Sequence, residues 1–161
     1  MRESSRKQLP TSTVLVVGGA IGGRAIVELY ASYGFNVIIA DKNQTVGEAL
    51  AKELAEVSDG RIKFEQVDVT SPPSVKALCE NIGQQFGYLS HIVSMVGGSG
   101  YSDWLGLSDG KLEDIAATTT LNLLSHQYVM RFGKPLLAAC PETNRSVVLV
   151  GSINCRSSDL S

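Results

Sequence analysis

The sequence has no apolar run near the roughly 20 residues that a membrane-spanning helix needs. No membrane partner is therefore expected. It has only three cysteines, Cys79, Cys140 and Cys155, widely spaced and without a Cys-x-x-Cys pair. A disulfide scaffold is excluded, and free thiols in a reducing cytoplasm are the expectation. No zinc site is expected, because neither His91 nor His126 stands at ligand spacing from a cysteine. Neither sign of charge dominates: 14 Lys and Arg face 16 Asp and Glu, for a net charge of −2. That balance gives no basic surface for nucleic acid or anionic lipid. The polar first residues lack the apolar core of a secretory signal. Residues 1–12 are expected to form a mobile arm, and residues 13–161 one domain with enough chain to bury a core.

What the sequence does contain is a β-type apolar run that stops at a cluster of glycines. Val14-Leu15-Val16-Val17 is followed by Gly18-Gly19-Ala20-Ile21-Gly22-Gly23, and a helical pattern begins at once. Gly18, Ala20 and Gly23 fit G-x-G-x-x-G with Ala in the middle slot. Glycine lets the backbone turn tightly and approach a diphosphate, while the first turn of the helix presents N–H groups and the positive end of its dipole. The pattern alone is weak. Its context, a strand before, a helix after and the acidic Asp41 closing the next strand about 20 residues on, is what a dinucleotide site requires. A glycine-rich turn with no ligand is the alternative.

Elements alternate through the rest of the chain. Strands are expected at 13–17, 36–40, 62–67, 91–96 and 146–150, and helices at 21–33, 45–57, 72–86 and 111–139. Asp59-Gly60 reads as a turn, and residues 97–110 as a loop containing Trp104. A kink is expected near Gly133-Lys134-Pro135, because proline cannot donate its backbone bond. Short apolar strands separated by helices predict an α/β fold, a Rossmann-type parallel sheet of five strands in the order 3-2-1-4-5, with helices on both faces. The ligand crevice then lies at the switch between strands one and four. Gly18 to Gly23, Asp41, Asp68-Val69, Gly97-Gly98 and Gly151-Ser152 all follow strands and gather at that edge.

Asp41 stands where an acid would accept the ribose hydroxyls of NAD and repel a 2′-phosphate. Lys42 beside it leaves NADP open. The plainer role for Asp41 is a turn that caps the following helix. Asp68 and Val69 are placed for an adenine pocket or for another strand-end turn. His91 begins an apolar strand and reads as a structural histidine. His126 lies four residues beyond Asn122, on the same helix face, where proton transfer is conceivable. No G-x-S-x-G nucleophile elbow occurs, so a hydrolase of that type is excluded.

The chain resembles the N-terminal part of a classical short-chain dehydrogenase/reductase, from about Thr13 to Ser152. The residues that carry the likeness are the glycine turn with Arg24-Ala25, Asp41, Val67-Asp68-Val69, residues 92–97, Leu121-Asn122-Leu123 and residues 147–152. The resemblance implies that Asp68 and Val69 contact adenine, and that Val96, Gly97 and Gly98 give the cofactor a close backbone approach. Two departures stand out. The family's Asn-Asn-Ala-Gly is Ser94-Met95-Val96-Gly97 here, and the glycine turn is shorter than the family's Thr-Gly, three residues, Gly-x-Gly.

The resemblance also implies catalytic roles. Asn122 matches the helix Asn that holds a proton-relay water, and Ser152 matches the Ser that hydrogen-bonds a substrate carbonyl. A solvent-facing Asn and a strand-end Ser with a local backbone bond are the plainer readings. The family's Tyr-x-x-x-Lys does not occur anywhere in the chain. The general acid and the cation that lowers its pKa are therefore missing, as in a chain truncated before that motif. Two functions follow as expectations. One is an NAD(P)-dependent oxidoreductase that moves hydride between nicotinamide and a carbonyl or alcohol substrate, working as a homo-oligomer. The other is a non-catalytic nucleotide-binding module completed by a partner chain.

Overall fold

In the computed structural model, which describes residues 12–56, 58, 61–98 and 112–151, strand and helix alternate along the chain. The strands are β1 (Thr13–Val17), β2 (Asn36–Asp41), β3 (Ile62–Gln66), β4 (His91–Ser94) and β5 (Ser146–Leu149). The helices are α1 (Arg24–Ser32), α2 (Gln44–Ala55), α3 (Pro72–Phe86), α4 (Leu112–Thr119) and α5 (Ser125–Ala139), with a π-helical turn at Thr120–Leu124 between the last two. The expected turn at Asp59-Gly60, the loop with Trp104, Cys155 and residues 1–11 lie outside the described residues.

The strands form one parallel sheet in the order β3-β2-β1-β4-β5, as the alternating pattern predicts. Side chains on a strand alternate between faces, so a strand buried on both faces reads as an unbroken apolar run. In β1, Leu15 and Val17 join Ile38, Val75, Ile82, Ile92 and Val129 in the core under α3 and α5. Val14 and Val16 join Val27, Ile39, Leu50 and Leu54 in the core under α1 and α2. Two close approaches set the helices down on the sheet. A Cβ on Gly47 of α2 would overlap the Phe64 ring, and one on Gly133 of α5 would stand 2.6 Å from Ile92 Cδ1. Cys79 and Cys140 are buried free thiols, and burial first, then Glu80, pushes Cys79 up to about 11.

Several elements differ from the sequence reading: β4 ends at Ser94 rather than at residue 96, α2 spans Gln44–Ala55 rather than 45–57, and the one helix expected over 111–139 is divided by the π turn. α1 begins at Arg24 rather than at residue 21, because residues 18–23 are spent on the turn and Gly23 serves as the N-cap. Pro135 lies inside α5, which continues from Ser125 to Ala139 past the Gly133-Lys134-Pro135 stretch where a kink is expected. Packing on both sides holds the helix through the bond that proline removes: Gly133 sits on Ile92, and Leu136 lies 3.1 Å from where a Cβ on Gly83 of α3 would stand. A π turn that contains Asn122 interrupts the helical stretch before α5, with the Ser125 N–H reaching back to the Thr120 carbonyl.

Candidate functional site

The chain leaves β3 on one side of β1 and enters β4 on the other, so a crevice opens beyond the carboxyl ends of β1 and β4. A cavity of about 630 Å³ occupies it. Gly18, at the end of β1, takes φ +79°, a conformation that side chains with a Cβ resist. Its N–H donates to the Ala40 carbonyl at 2.8 Å, which extends the β1–β2 ladder by one step. A Cβ on Gly18 would lie 3.1 Å from Val96 N, so the turn can rest against the segment after β4 only without a side chain. A Cβ on Gly23 would lie 2.5 Å from Gly19 Cα, so the turn also closes on itself.

Asp41 closes β2 with its carboxylate drawn back over the turn. Its Oδ2 accepts from the Ala20 N–H at 3.1 Å, and its Oδ1 accepts from the Asn43 N–H at 3.0 Å. The cap of α2 is Asn43 rather than Asp41: Asn43 Oδ1 accepts from the Val46 N–H at 3.2 Å. Asp41 therefore stands at the cavity rim without being consumed as a helix cap. Lys42 Nζ pairs with Asp68 Oδ2 at 3.3 Å, an exposed contact of small energetic weight. The Asp68 carboxyl is held below the usual carboxylate range by the Thr70 hydroxyl first, then by the Thr70 N–H; burial opposes this, and Lys42 adds to it.

Of the residues singled out in the sequence, Gly18, Ile21, Gly22, Asp41, Lys42, Asp68, Val69, Val96 and Gly97 line the cavity together. Gly19, Gly23 and the buried Ala20 shape the turn from behind. Gly98 is clamped to Asn122: its N–H donates to Asn122 Oδ1 at 2.9 Å, and Asn122 Nδ2 donates to its carbonyl at 2.7 Å. Asn122 Nδ2 also donates to the Thr118 carbonyl at 3.0 Å. Ser152 lies outside the described residues.

The sequence reading missed Thr70, Met95 and three positions of the helical wall, Ala117, Thr118 and Leu121. The last three recur at helical spacing, which is the signal that one face of this helix borders the crevice. It also missed that Ser94 and His126 meet, with Ser94 Oγ 2.7 Å from His126 Nδ1. His91 is at the far end of β4, bonded through Nδ1 to Ser146 Oγ at 2.8 Å and flanked by Tyr30 and Phe35, a structural setting as expected.

A model of the short chain dehydrogenase family matches residues 12–159. A 3-hydroxyacyl-CoA dehydrogenase type-2 from Drosophila melanogaster is 33% identical over 129 residues, covering 78% of this chain and 49% of its own length. The chain thus spans about half the length of that relative. Two solved structures share the fold. An NADH-dependent reductase complexed with NAD matches with a TM-score of 0.79 and 24% identity, over 92% of this chain and 62% of its own. A Pseudomonas aeruginosa RhlG/NADP complex matches with a TM-score of 0.77 and 23% identity, over 89% and 56%. With nearly the whole chain matched and the sheet order, glycine turn and crevice in agreement, this protein belongs to the short-chain dehydrogenase/reductase family.

Proposed function

We propose that this chain holds the dinucleotide of an NAD(P)-dependent oxidoreductase that interconverts carbonyl and alcohol groups of a small molecule. The observation that carries the reading is the Gly18 turn opening into the crevice with Asp41 at its rim. The residues fit such a cofactor. Gly18 and Gly22 line the cavity without side chains, and α1 begins behind them, so its first N–H groups and dipole favour a diphosphate. When bound, the nicotinamide supplies or accepts the hydride.

The protein's own residues bind and orient. Asp41 accepts the adenine ribose hydroxyls, and its charge disfavours a 2′-phosphate. Lys42 meets Asp68 rather than Asp41, which supports NAD as the preferred cofactor. The two solved structures hold NAD in one case and NADP in the other, so the fold alone does not set this preference. Asp68 and Val69 border the adenine. Val96 and Gly97 give the crevice a backbone wall, and Asn122 fixes Gly98 at its end. Ser152, which follows β5 in the sequence, is assigned to the substrate carbonyl by the family likeness. No Tyr-x-x-x-Lys stands in these 161 residues, so the chain alone should bind NADH but reduce ketones poorly. Fluorescence titration with NADH, followed by an oxidation assay on a panel of ketones, tests this. Saturable binding with slow turnover is expected; fast turnover would mean another residue supplies the acid.

A second reading has one observation in its favour. β5 lies at the sheet edge, and Val148, Leu149 and Val150 are 46%, 52% and 41% exposed. Among the described residues no further strand pairs with β5, and an apolar parallel strand at an edge is an association surface. On this reading the chain is a nucleotide-binding subunit completed by a second chain along β5. Light scattering tests it: a stable monomer removes this reading, and a dimer supports it when Leu149→Lys on β5 dissociates that dimer.

A further inference from the structure

The segment after β4 forms one wall of the crevice, since Met95, Val96 and Gly97 all line the cavity. The sheet holds it through the Met95 N–H, which donates to the Val17 carbonyl at 2.9 Å. The helical layer holds it at two points. Asn122 is joined to Gly98, and His126 Nδ1 meets Ser94 Oγ at 2.7 Å. Positions 94 and 98 are one end and the other of the wall; positions 126 and 122 are one helical turn apart. The two contacts are thus successive rungs between the same strand end and the same helix.

The Ser94–His126 rung is costly in isolation. Ser94 is fully buried and His126 is partly so, and burial lowers the imidazole's tendency to take a proton, with a hydrogen bond at the Val96 backbone opposing. Polar groups removed from water recover that cost only when they are bonded to each other. Most of the interior of this sheet is filled by Val, Ile and Leu, and other buried polar contacts, Ser90 with Thr13 and His91 with Ser146, lie at the opposite end of the strands. A hydrogen bond fixes a direction: it sets both distance and angle between its partners.

We propose that His126 is a positioning residue for the dinucleotide site: through Ser94 it sets where the wall of residues 95–98 stands against the helix. The inference rests on the dinucleotide reading above. Without this rung, the described hydrogen bonds that tie the wall to the helix are those at Gly98, and the backbone that faces Gly18 is held less closely.

The test is calorimetric titration of NAD into the 161-residue chain and two variants, with melting temperatures alongside. His126→Phe keeps a ring of similar size but loses the contact to Ser94. His126→Asn places an amide atom where Nδ1 stood and keeps the Ser94 contact. His126→Phe should bind NAD about tenfold more weakly, the worth of one buried hydrogen bond, while His126→Asn stays within about twofold of the unaltered chain. Equal loss in both variants, or no loss in His126→Phe, overturns the inference and leaves the dinucleotide reading intact. No binding by the unaltered chain removes both. A second arm holds if His126→Phe fails to fold. The chain has two histidines, so their ring nitrogens can be followed separately by nuclear magnetic resonance. Addition of NAD should shift the His126 signals and leave those of His91, at the opposite end of β4, in place. Unmoved His126 signals, or equal shifts at both, overturn the inference.

Discussion

Asn122 and Gly98 hold each other by two reciprocal bonds, Gly98 N–H to Oδ1 at 2.9 Å and Nδ2 to the Gly98 carbonyl at 2.7 Å. The side-chain amide thus mimics a neighbouring strand and pairs a backbone that has left the sheet. It does so from a π-helical turn, where one extra residue changes the direction in which the helix presents its side chains. Gly97 makes the close fit workable, since a Cβ there would stand 3.0 Å from Asn122 Oδ1.

Asn122→Ala removes both bonds at once. The groups it frees are exposed to water, so the loss of stability should be modest, about 1 kcal/mol. The effect on NAD should be larger than the effect on folding, about a tenfold rise in Kd, because the wall it releases faces the ligand. Denaturant melts and calorimetry on the same variant separate the two. A large drop in stability with normal NAD affinity would make Asn122 a purely structural residue.

Gly23→Ala tests the turn. The added Cβ would lie 2.5 Å from Gly19 Cα and 2.9 Å from its carbonyl oxygen, and both are backbone atoms that cannot rotate away. Overpacking of this kind costs about 1–3 kcal/mol. NAD affinity should fall by more than tenfold, as the turn opens by some tenths of an ångström just where the diphosphate would sit. A variant that melts like the unaltered chain and binds NAD normally would show that the self-contact is not needed.

The two histidines give the protein an acid-sensitive range. Burial first of all holds both His91 and His126 below the ordinary imidazole value; Glu142 opposes this at His91 and the Val96 backbone at His126. The unfolded chain takes up protons on these rings near pH 6.5, and the folded chain only at lower pH. Below about 6.5 the unfolded state binds more protons, so stability falls as pH drops, and above it the contribution is complete. Melting temperature should therefore be level near neutral pH and fall on going from about pH 6.5 to about pH 5.5, less steeply in His91→Phe. A melting temperature that rises over that interval contradicts the assignment.

Most of the fold was legible because it follows from periodicity. The unbroken apolar runs of β1 and β2 announce strands covered on both faces, and the glycines after Val17 announce the crevice. The start of α1 was not legible to within a turn, because residues 21–23 have helix-compatible neighbours but serve the loop. Pro135 does not end the helix, because packing of Gly133 on Ile92 and of Leu136 near Gly83 of α3 carries α5 past the bond that proline cannot donate. The π turn and the Ser94–His126 contact have no local signal at all. Asn122 reaches Gly98 across 24 positions and His126 reaches Ser94 across 32, so only the folded arrangement brings them together.

The account stands on Asp41 and the turn beside it, where the Ala20 N–H already points to Asp41 Oδ2. The most direct measurement is a calorimetric titration of the 161-residue chain and of Asp41→Ala with NAD and with NADP. The unaltered chain should bind one NAD, about tenfold or more tighter than NADP, since the carboxylate accepts the ribose hydroxyls and repels a phosphate in their place. Asp41→Ala should bind both weakly and nearly equally. Equal or tighter binding of NADP by the unaltered chain, or a preference unchanged in Asp41→Ala, would contradict the account.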